Sequence, residues 1–309
     1  MPAETNLASL ARITETTWGT TPATPELQLM RLTGESLSHS KDTILSNEVR
    51  SDRMRSDLAE VGASAGGAVN FELSYGTYEN ELESALYSTI TTLNETVAAV
   101  AIDESAETLT ATASDFDNVL VGGLIKVAGA ATPANNGFKK VSAKSVDGSV
   151  LTFVAGSFTV DEGSVELTLT GRDLRNGVTR KSFTFERRIV SGSSDYFQQF
   201  LGMIVSGMNL SIESKAIVTG DFSFLGKIGT ASDATIDNDA TYTATTSTPV
   251  MNGTANVGSL TRDGVAMVER AKSFNLSINN NLRGNDAIGE SGNFDVGAGS
   301  FQIDGSFDM

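Results

Sequence analysis

Apolar residues recur at two spacings along this chain, and one stretch contains both. From Ser182 to Ile189, Phe183, Phe185 and Arg187 alternate with Thr184, Glu186 and Arg188, the two-residue period of a β-strand. Ser193 and Ser194 precede Asp195, a helix-start signal. Tyr196, Phe197, Phe200 and Leu201 then follow at spacings of three and four, which predicts a short helix with one apolar face. Alternation returns from Ile204 to Ile212 through Met208, Leu210 and Ile212. After the polar turn Glu213-Ser214-Lys215 it resumes from Ile217 to Leu225 through Phe222 and Phe224. Lys181–Lys227 therefore predicts an antiparallel sheet with a helix laid against it. The stretch holds no nucleophile, metal cluster or phosphate loop, so its residues read as architecture.

Upstream, residues 1–25 are rich in Thr, Pro and Ala and read as an extended arm. Trp18 is the single tryptophan and sits inside polar surroundings; the arm is either a loose terminus or one anchored on a neighbour through Trp18. Glu26–Leu32 alternates as a first strand, and Gly66–Tyr75 alternates through Val69, Phe71 and Leu73 as a second. The connection between them, residues 33–65, is far longer than an ordinary strand connection. It mixes Ile44, Leu45 and Val49 with the charges Glu48, Arg50, Asp52, Arg53, Arg55 and Asp57. It reads either as a solvated hairpin or as a contact loop that orders against another subunit.

Tyr75–Leu93 predicts the best helix, with Thr77 as cap and Glu79, Glu81 and Glu83 near its positive end. Tyr78, Leu82, Ala85, Leu86 and Ile90 form one face, the core face of that helix. The glutamates are two residues apart, so they fan around the helix, and solvation is the role expected of them. Residues 97–171 change character, with short strands at Thr108–Ala113, Leu120–Ala128, Gly137–Ser145, Ser149–Phe153 and Ser164–Thr170. Turn signals at Pro133–Gly137 and Asp147-Gly148 separate them, which predicts a small barrel or sandwich inserted into a core made of 26–96 and 172–309. Further strands are expected at Met267–Asn280 and Gly299–Phe307, after polar, Gly- and Asn-rich connections. The fold class is mainly β: a sandwich or barrel core, one packed helix and an inserted all-β domain.

Composition then removes function classes. The 309 residues include no Cys, which excludes disulfides, thiolate metal sites and a Cys nucleophile. The one histidine, His39, lies in the polar run SLSHSKD and reads as a solvated loop residue, so a Ser-His-Asp triad is not expected. Asp237-Asn238-Asp239 lacks the Gly and Glu of a calcium loop, and no metal, cofactor or catalytic residue is expected. No apolar run reaches the roughly 20 residues of a membrane span, and the N-terminus lacks the layout of a signal peptide. Net charge is −16, which argues against wrapping nucleic acid in lysine and arginine but suits a wall that does not retain phosphates.

Several segments, taken in order, resemble the tail tube proteins of long-tailed, non-contractile (siphovirus-type) bacteriophages. They are Arg50–Gly76 with the acidic helix after it, Asn135-Asn136-Gly137, Phe185–Ile189 (FERRI), Phe197–Ile212 and Ile217–Lys227 (IVTGDFSFLGK). The resemblance implies a β-sandwich completed by oligomerisation, with six copies forming a ring and rings stacking into a tube. It implies a lumen that holds a tape measure protein and later passes phage DNA without binding it specifically. Tail terminator and distal tail proteins would be partners, and assembly would take place in the host bacterial cytoplasm. Family members usually continue past the region matching Gly299–Met309, so either a short member or a longer chain is expected. The stacking contact is then expected from Ile44, Leu45, Glu48, Val49, Arg50, Asp52, Arg53, Arg55 and Asp57. Another virion β-protein, such as a decoration or hub component, or an adhesive β-domain is the alternative.

Overall fold

The computed structural model describes residues 8–191, 194–257, 261–262, 265–266 and 271–309. Expectations that fall on residues 1–7, on Ser193 and on Met267 lie outside them. The chain forms two compact units, Met1–Tyr87 with Val178–Met309, and Ser88–Gly177. In chain order, the first part carries β1 (Ala8–Thr14), β2 (Glu26–Leu29), β3 (Gly34–Glu35), β4 (Ser38–Leu45), β5 (Leu58–Glu72) and helix α1 (Glu79–Ala85). The second unit carries β6 (Thr91–Asp103), β7 (Thr108–Thr110), β8 (Leu124–Ala128), β9 (Gly137–Lys144), β10 (Val150–Phe153) and β11 (Glu162–Asp173). The chain then adds β12 (Ser182–Ser191), β13 (Ser194–Glu213), β14 (Thr219–Gly226), β15 (Ile228–Ser232) and β16 (Thr241–Thr243). Last come β17 (Thr261–Arg262), β18 (Val265–Ala266), β19 (Ser273–Asn279), β20 (Arg283–Asn285), β21 (Asp295–Gly297) and β22 (Gln302–Asp308).

The larger unit is built along β13, whose 20 residues extend over roughly 65 Å at the usual strand rise. Its first half pairs with β12 on one side and β15 on the other; its second half pairs with β19 and β14. β12 continues outward to β1, β2 and β16, while β14 continues to β5, which pairs with β3 and β4; β22 adds to β19. The partners change around Gly202 to Gly207, where the register slips against both β12 and β14. Gly202 has φ +69, a conformation side-chain-bearing residues rarely adopt, and a Cβ there would lie 2.9 Å from Trp18 Nε1. The bulge lets one strand serve four neighbours.

The helix expected over Tyr196–Leu201 is therefore strand. Phe200 faces the main core with Phe185, Phe224 and Met203, whereas Phe197 is buried outside that cluster. Three-residue spacing arises here because both faces of a strand are covered. In β6 the cause is a bulge: Leu93, Val97 and Val100 all belong to one core because the register against β11 slips between Val97 and Val100. Ala99, at that slip, has φ +57. The expected helix over Tyr75–Leu93 accordingly shrinks to Glu79–Ala85. Tyr78 is buried against Phe71 and Phe222, and Leu82 and Leu86 pack on the same core, but Ile90 lies beyond the helix. Thr77 does not cap it; its hydroxyl pairs with Ser74 at 2.7 Å.

The glutamates of this helix correct a second expectation. Glu81 is fully buried and Glu83 nearly so. Glu81 forms an ion pair with Arg12 of β1, itself buried, and Arg12 Nη2 donates to Glu81 Oε2 at 3.2 Å. Burial pushes the Glu81 carboxyl above its ordinary range, against the pull of the Arg12 guanidinium. Glu83 pairs with Lys181, which also donates to Asn80 Oδ1 at 2.6 Å. A third buried carboxylate, Glu15, accepts from Ser182 Oγ, Thr184 Oγ1, Gly19 N and Gly202 N at 2.7–2.8 Å. Residues 8–20 are thus fastened into the sheet, where the sequence suggested an extended arm. Trp18 is seated on its own chain, its indole N–H donating to Gly202 O at 2.9 Å with Lys227 over the ring.

The smaller unit is a closed six-stranded barrel in the order β10-β7-β6-β11-β8-β9. It is filled by its own cluster, including Val100, Leu109, Phe116, Val127, Val141, Leu151 and Leu167. Its strands run from Thr91 to Asp173, wider than the 97–171 expected for an insertion, because the helical reading to Leu93 took in the first residues of β6. The chain leaves and re-enters the larger unit at one point, since Thr179 N donates to Tyr87 O at 2.8 Å. Tyr87 there is buried, which pushes its phenol up to about 12.

Two outcomes follow. Replacing Ser88–Gly177 by a short Gly/Ser linker should leave a folded core, seen as a cooperative melt with a β-type circular dichroism spectrum. Arg12→Ala should destabilise the isolated chain by about 3–5 kcal/mol, because it strands a buried carboxylate, whereas Arg12→Met with Glu81→Met should recover most of the loss. In Arg12→Ala the Glu81 pKa rises further above its unfolded value. Its penalty is therefore absent below the unfolded carboxylate range and grows as pH rises through the folded value, so the deficit should narrow when melting is measured at pH 4.

Candidate assembly surfaces

Two exposed surfaces of the larger unit stand apart from the rest by their side-chain chemistry. The first grows from β4 and β5. Ser38–Leu45 pairs with Leu58–Gly66, so the stretch expected as a loop over 33–65 is mostly a β-hairpin closed by a tip of residues 46–57. Its strands carry β-favouring Thr43, Ile44 and Val61, the register slips once between Asp42 and Thr43, and both faces of the distal half meet solvent. Val49 is 99% exposed, Met54 68% and Ile44 59%; Leu45 and Leu58 are exposed as well. His39 lies on β4, half-buried over Gly229, and is not a loop residue.

Charges on the hairpin are only partly satisfied within it. Arg50 Nη2 meets Asp52 Oδ2 at 2.8 Å, and that guanidinium, with the Met54 N–H, holds the Asp52 carboxyl below its usual range. Lys41 pairs with Glu60 at 2.8 Å, and Asp57 accepts from the Leu58 N–H. Arg53, at φ +62, and Arg55 are exposed with no carboxylate at ion-pair distance among the described residues, and Glu48 is exposed beside them. All nine residues expected at the stacking contact thus fall on one projecting hairpin. The hairpin thus gathers exposed apolar side chains and two exposed arginines that have no carboxylate partner among the described residues.

The second surface is a face of the sheet that the sequence reading did not single out. Across β5, β14, β13, β19 and β22 the registers place Asn70, Asp221, Asn209, Ser277 and Asp304 in one row. The adjacent row is Glu72, Thr219, Ser211, Asn275 and Ser306. Glu213, Ser273 and Asp308 continue it. The opposite face carries Val69, Phe222, Met208 and Ile278, buried in the core, on β5, β14, β13 and β19, while Ile303 and Phe307 of β22 remain exposed there. The polar face is made of Asn, Ser, Thr and carboxylates, with neither lysine nor arginine in these rows. Asn209 bridges to Asp221 at 3.1 Å, so part of the acid is tied down across strands. The signal was present as the polar half of each alternation, but only pairing aligns those halves into one surface.

A family described as "Phage tail tube protein" matches residues 5–309, nearly the whole chain. The chain belongs to that family. Among curated proteins none matches it. As a phage tail tube protein it is a virion structural subunit, located in the tail and assembling into a tube with other tail proteins. The resembling motifs have structural work in this tail tube chain. In the Phe185–Ile189 segment, Phe185 is core and buried Glu186 accepts from the Tyr242 hydroxyl. Burial and Glu186 together push that phenol far up. Arg187 donates to Leu37 O at 2.6 Å and stacks on Phe200, and Arg188 pairs with Asp195. In the Ile217–Lys227 segment, Gly220 lies against Phe71, where a Cβ would come within 2.6 Å of the ring. Among the described residues no helix is long and apolar enough to cross a membrane, and no cluster of His, Cys, Asp or Glu could hold a metal.

Proposed function

We propose that copies of this chain close into rings, six to a ring as the resemblance implies, and that rings stack into the tube of a long, non-contractile tail. The observation that carries this reading is the polar, lysine- and arginine-free face across β5, β14, β13, β19 and β22. Turned inward, such a face is hydrated and repels phosphates, so a tape measure protein can be held and then released, and DNA can slide without being retained. The outer edge of β22 and the β3–β4 edge have unpaired backbone groups in a single copy. Joining them between neighbours closes the sheet into a barrel and removes the edges.

Stacking falls to the β4–β5 hairpin. Apolar burial there contributes roughly 1–3 kcal/mol for each side chain covered. Arg53 and Arg55 find carboxylates on the adjacent ring and set its rotation. The barrel unit lies on the outside of the tube and is dispensable for polymerisation; its removal reduces the outer diameter. The role is structural and needs no catalytic step, and tail terminator and distal tail proteins cap the ends of the tube.

Electron microscopy of self-assembled tubes tests the lumen. The Asp221–Asp304 face should line it, and a wall of lysine and arginine or of another face would refute the assignment. For the hairpin, Arg50→Glu with Arg53→Glu and Arg55→Glu should leave the monomer's circular dichroism unchanged. It should raise the critical concentration for tubes roughly tenfold or more, a loss of about 1.4 kcal/mol per subunit. Raised salt should slow wild-type polymerisation because these charges are screened before docking. Normal tubes from the triple variant at the wild-type rate would remove the hairpin from the stacking contact.

A further inference from the structure

The barrel unit has an outward face that its own fold leaves uncovered. On β8 and β9 the register sets Leu124 opposite Lys140 and Lys126 opposite Phe138. Val154 joins them, its N–H donating to Lys140 O at 3.1 Å. The inward positions between them, Ile125, Val127 and Val141, fill the barrel core, so nothing in the unit requires an apolar residue on the outside. Yet Phe138 is 70% exposed, Leu124 57% and Val154 46%. The two exposed lysines sit between these apolar groups, although acidic residues outnumber basic ones in the unit. An aromatic flanked by lysines on an otherwise acidic barrel fits a partner surface that is acidic.

Such a surface is present on the same unit. Asp103 closes β6, Glu104 follows it, and Asp161 precedes β11; all three are exposed. Asp161 accepts the Glu104 N–H at 2.7 Å, and Asp103 accepts from Ser105 Oγ and the Ala106 N–H, which hold its carboxyl below the ordinary range. Around the closed barrel, β6 and β7 are separated from β8 and β9 by β11 on one side and β10 on the other. One copy therefore cannot bring its Phe138 face onto its own acidic turn. Two complementary patches on opposite sides of one body make a head-to-tail contact, which repeats from copy to copy instead of closing in a pair.

We infer that the barrel units of neighbouring copies dock on one another, the Leu124–Phe138–Val154 face with Lys126 and Lys140 of one against Asp103, Glu104 and Asp161 of the next. This rests on the tube reading, which supplies the partner: in a homopolymer every copy carries both halves of the contact at high local concentration. The contact acts as an outer brace, weak in a free pair and additive along the polymer.

The chain has no cysteine, so paired substitutions report the contact directly. Full-length chain carrying Phe138→Cys and Glu104→Cys, assembled and then mildly oxidised, should give a ladder of covalent multimers on a denaturing gel, while either single variant gives at most dimers. Independently, Phe138→Ser with Lys126→Glu and Lys140→Glu should leave the monomer spectrum unchanged and still give tubes, but these should fall apart at a lower temperature. Adding Glu104→Lys and Asp161→Lys should restore the lost heat resistance. Tubes that form from the double-cysteine chain without a ladder, or charge reversal with no effect on tube melting, would overturn the contact while leaving the tube reading in place. Absence of tubes from the wild-type chain would overturn both.

Discussion

The larger unit depends on a single strand being allowed to change partners in mid-course. β13 could not pair with β12, β15, β14 and β19 if its backbone were regular from Ser194 to Glu213. The bulge at Gly202 absorbs the register slip, and the missing side chain leaves room for Trp18 and Lys227 to close over it. Glu15 then ties the same point from below, its carboxylate accepting the Gly202 N–H along with three other donors. A backbone irregularity that would otherwise expose unpaired groups is thereby satisfied on both sides.

The buried charges belong to the same problem. α1 is only two turns long and has little stability of its own. Its apolar residues, Tyr78, Leu82, Ala85 and Leu86, hold it on the core, and Glu81 with Arg12 fixes its position against β1. A buried pair of this kind adds little net stability over apolar replacements but penalises any arrangement that separates its members. The short helix is thus specified by partners far away in sequence rather than by its own propensity.

Function draws on what this core leaves outside. One face of the sheet is polar and free of cations, the hairpin carries apolar and unpaired cationic groups into solvent, and the edges at β22 and β3–β4 stay open. Each is a liability in a free monomer. In the proposed tube each becomes a surface with a use, because edge pairing, stacking and passage as proposed need groups that one copy cannot satisfy alone.

Alternation by itself determined much of this protein. Phe183 and Phe185, Met208 and Leu210, and Phe222 and Phe224 marked β12, β13 and β14 as strands, and the turns at Asp147-Gly148 and around Asn136 marked the barrel. The order of motifs from Arg50 to Lys227 pointed to the family. Other features were decided only in three dimensions. Phe197 and Phe200 look helical because a second covered face turns a period of two into three, and which faces are covered depends on strands far off in the chain. The solvated role expected for Glu81 failed because Arg12, 69 residues away, lies beneath it. The long connection after Leu32 became a hairpin through pairing between Ser38–Leu45 and Leu58–Gly66, and the acidic face emerged only when five strands came into register. Local spacing records what each residue prefers; long-range pairing decides which neighbours, and therefore which surfaces, that preference produces.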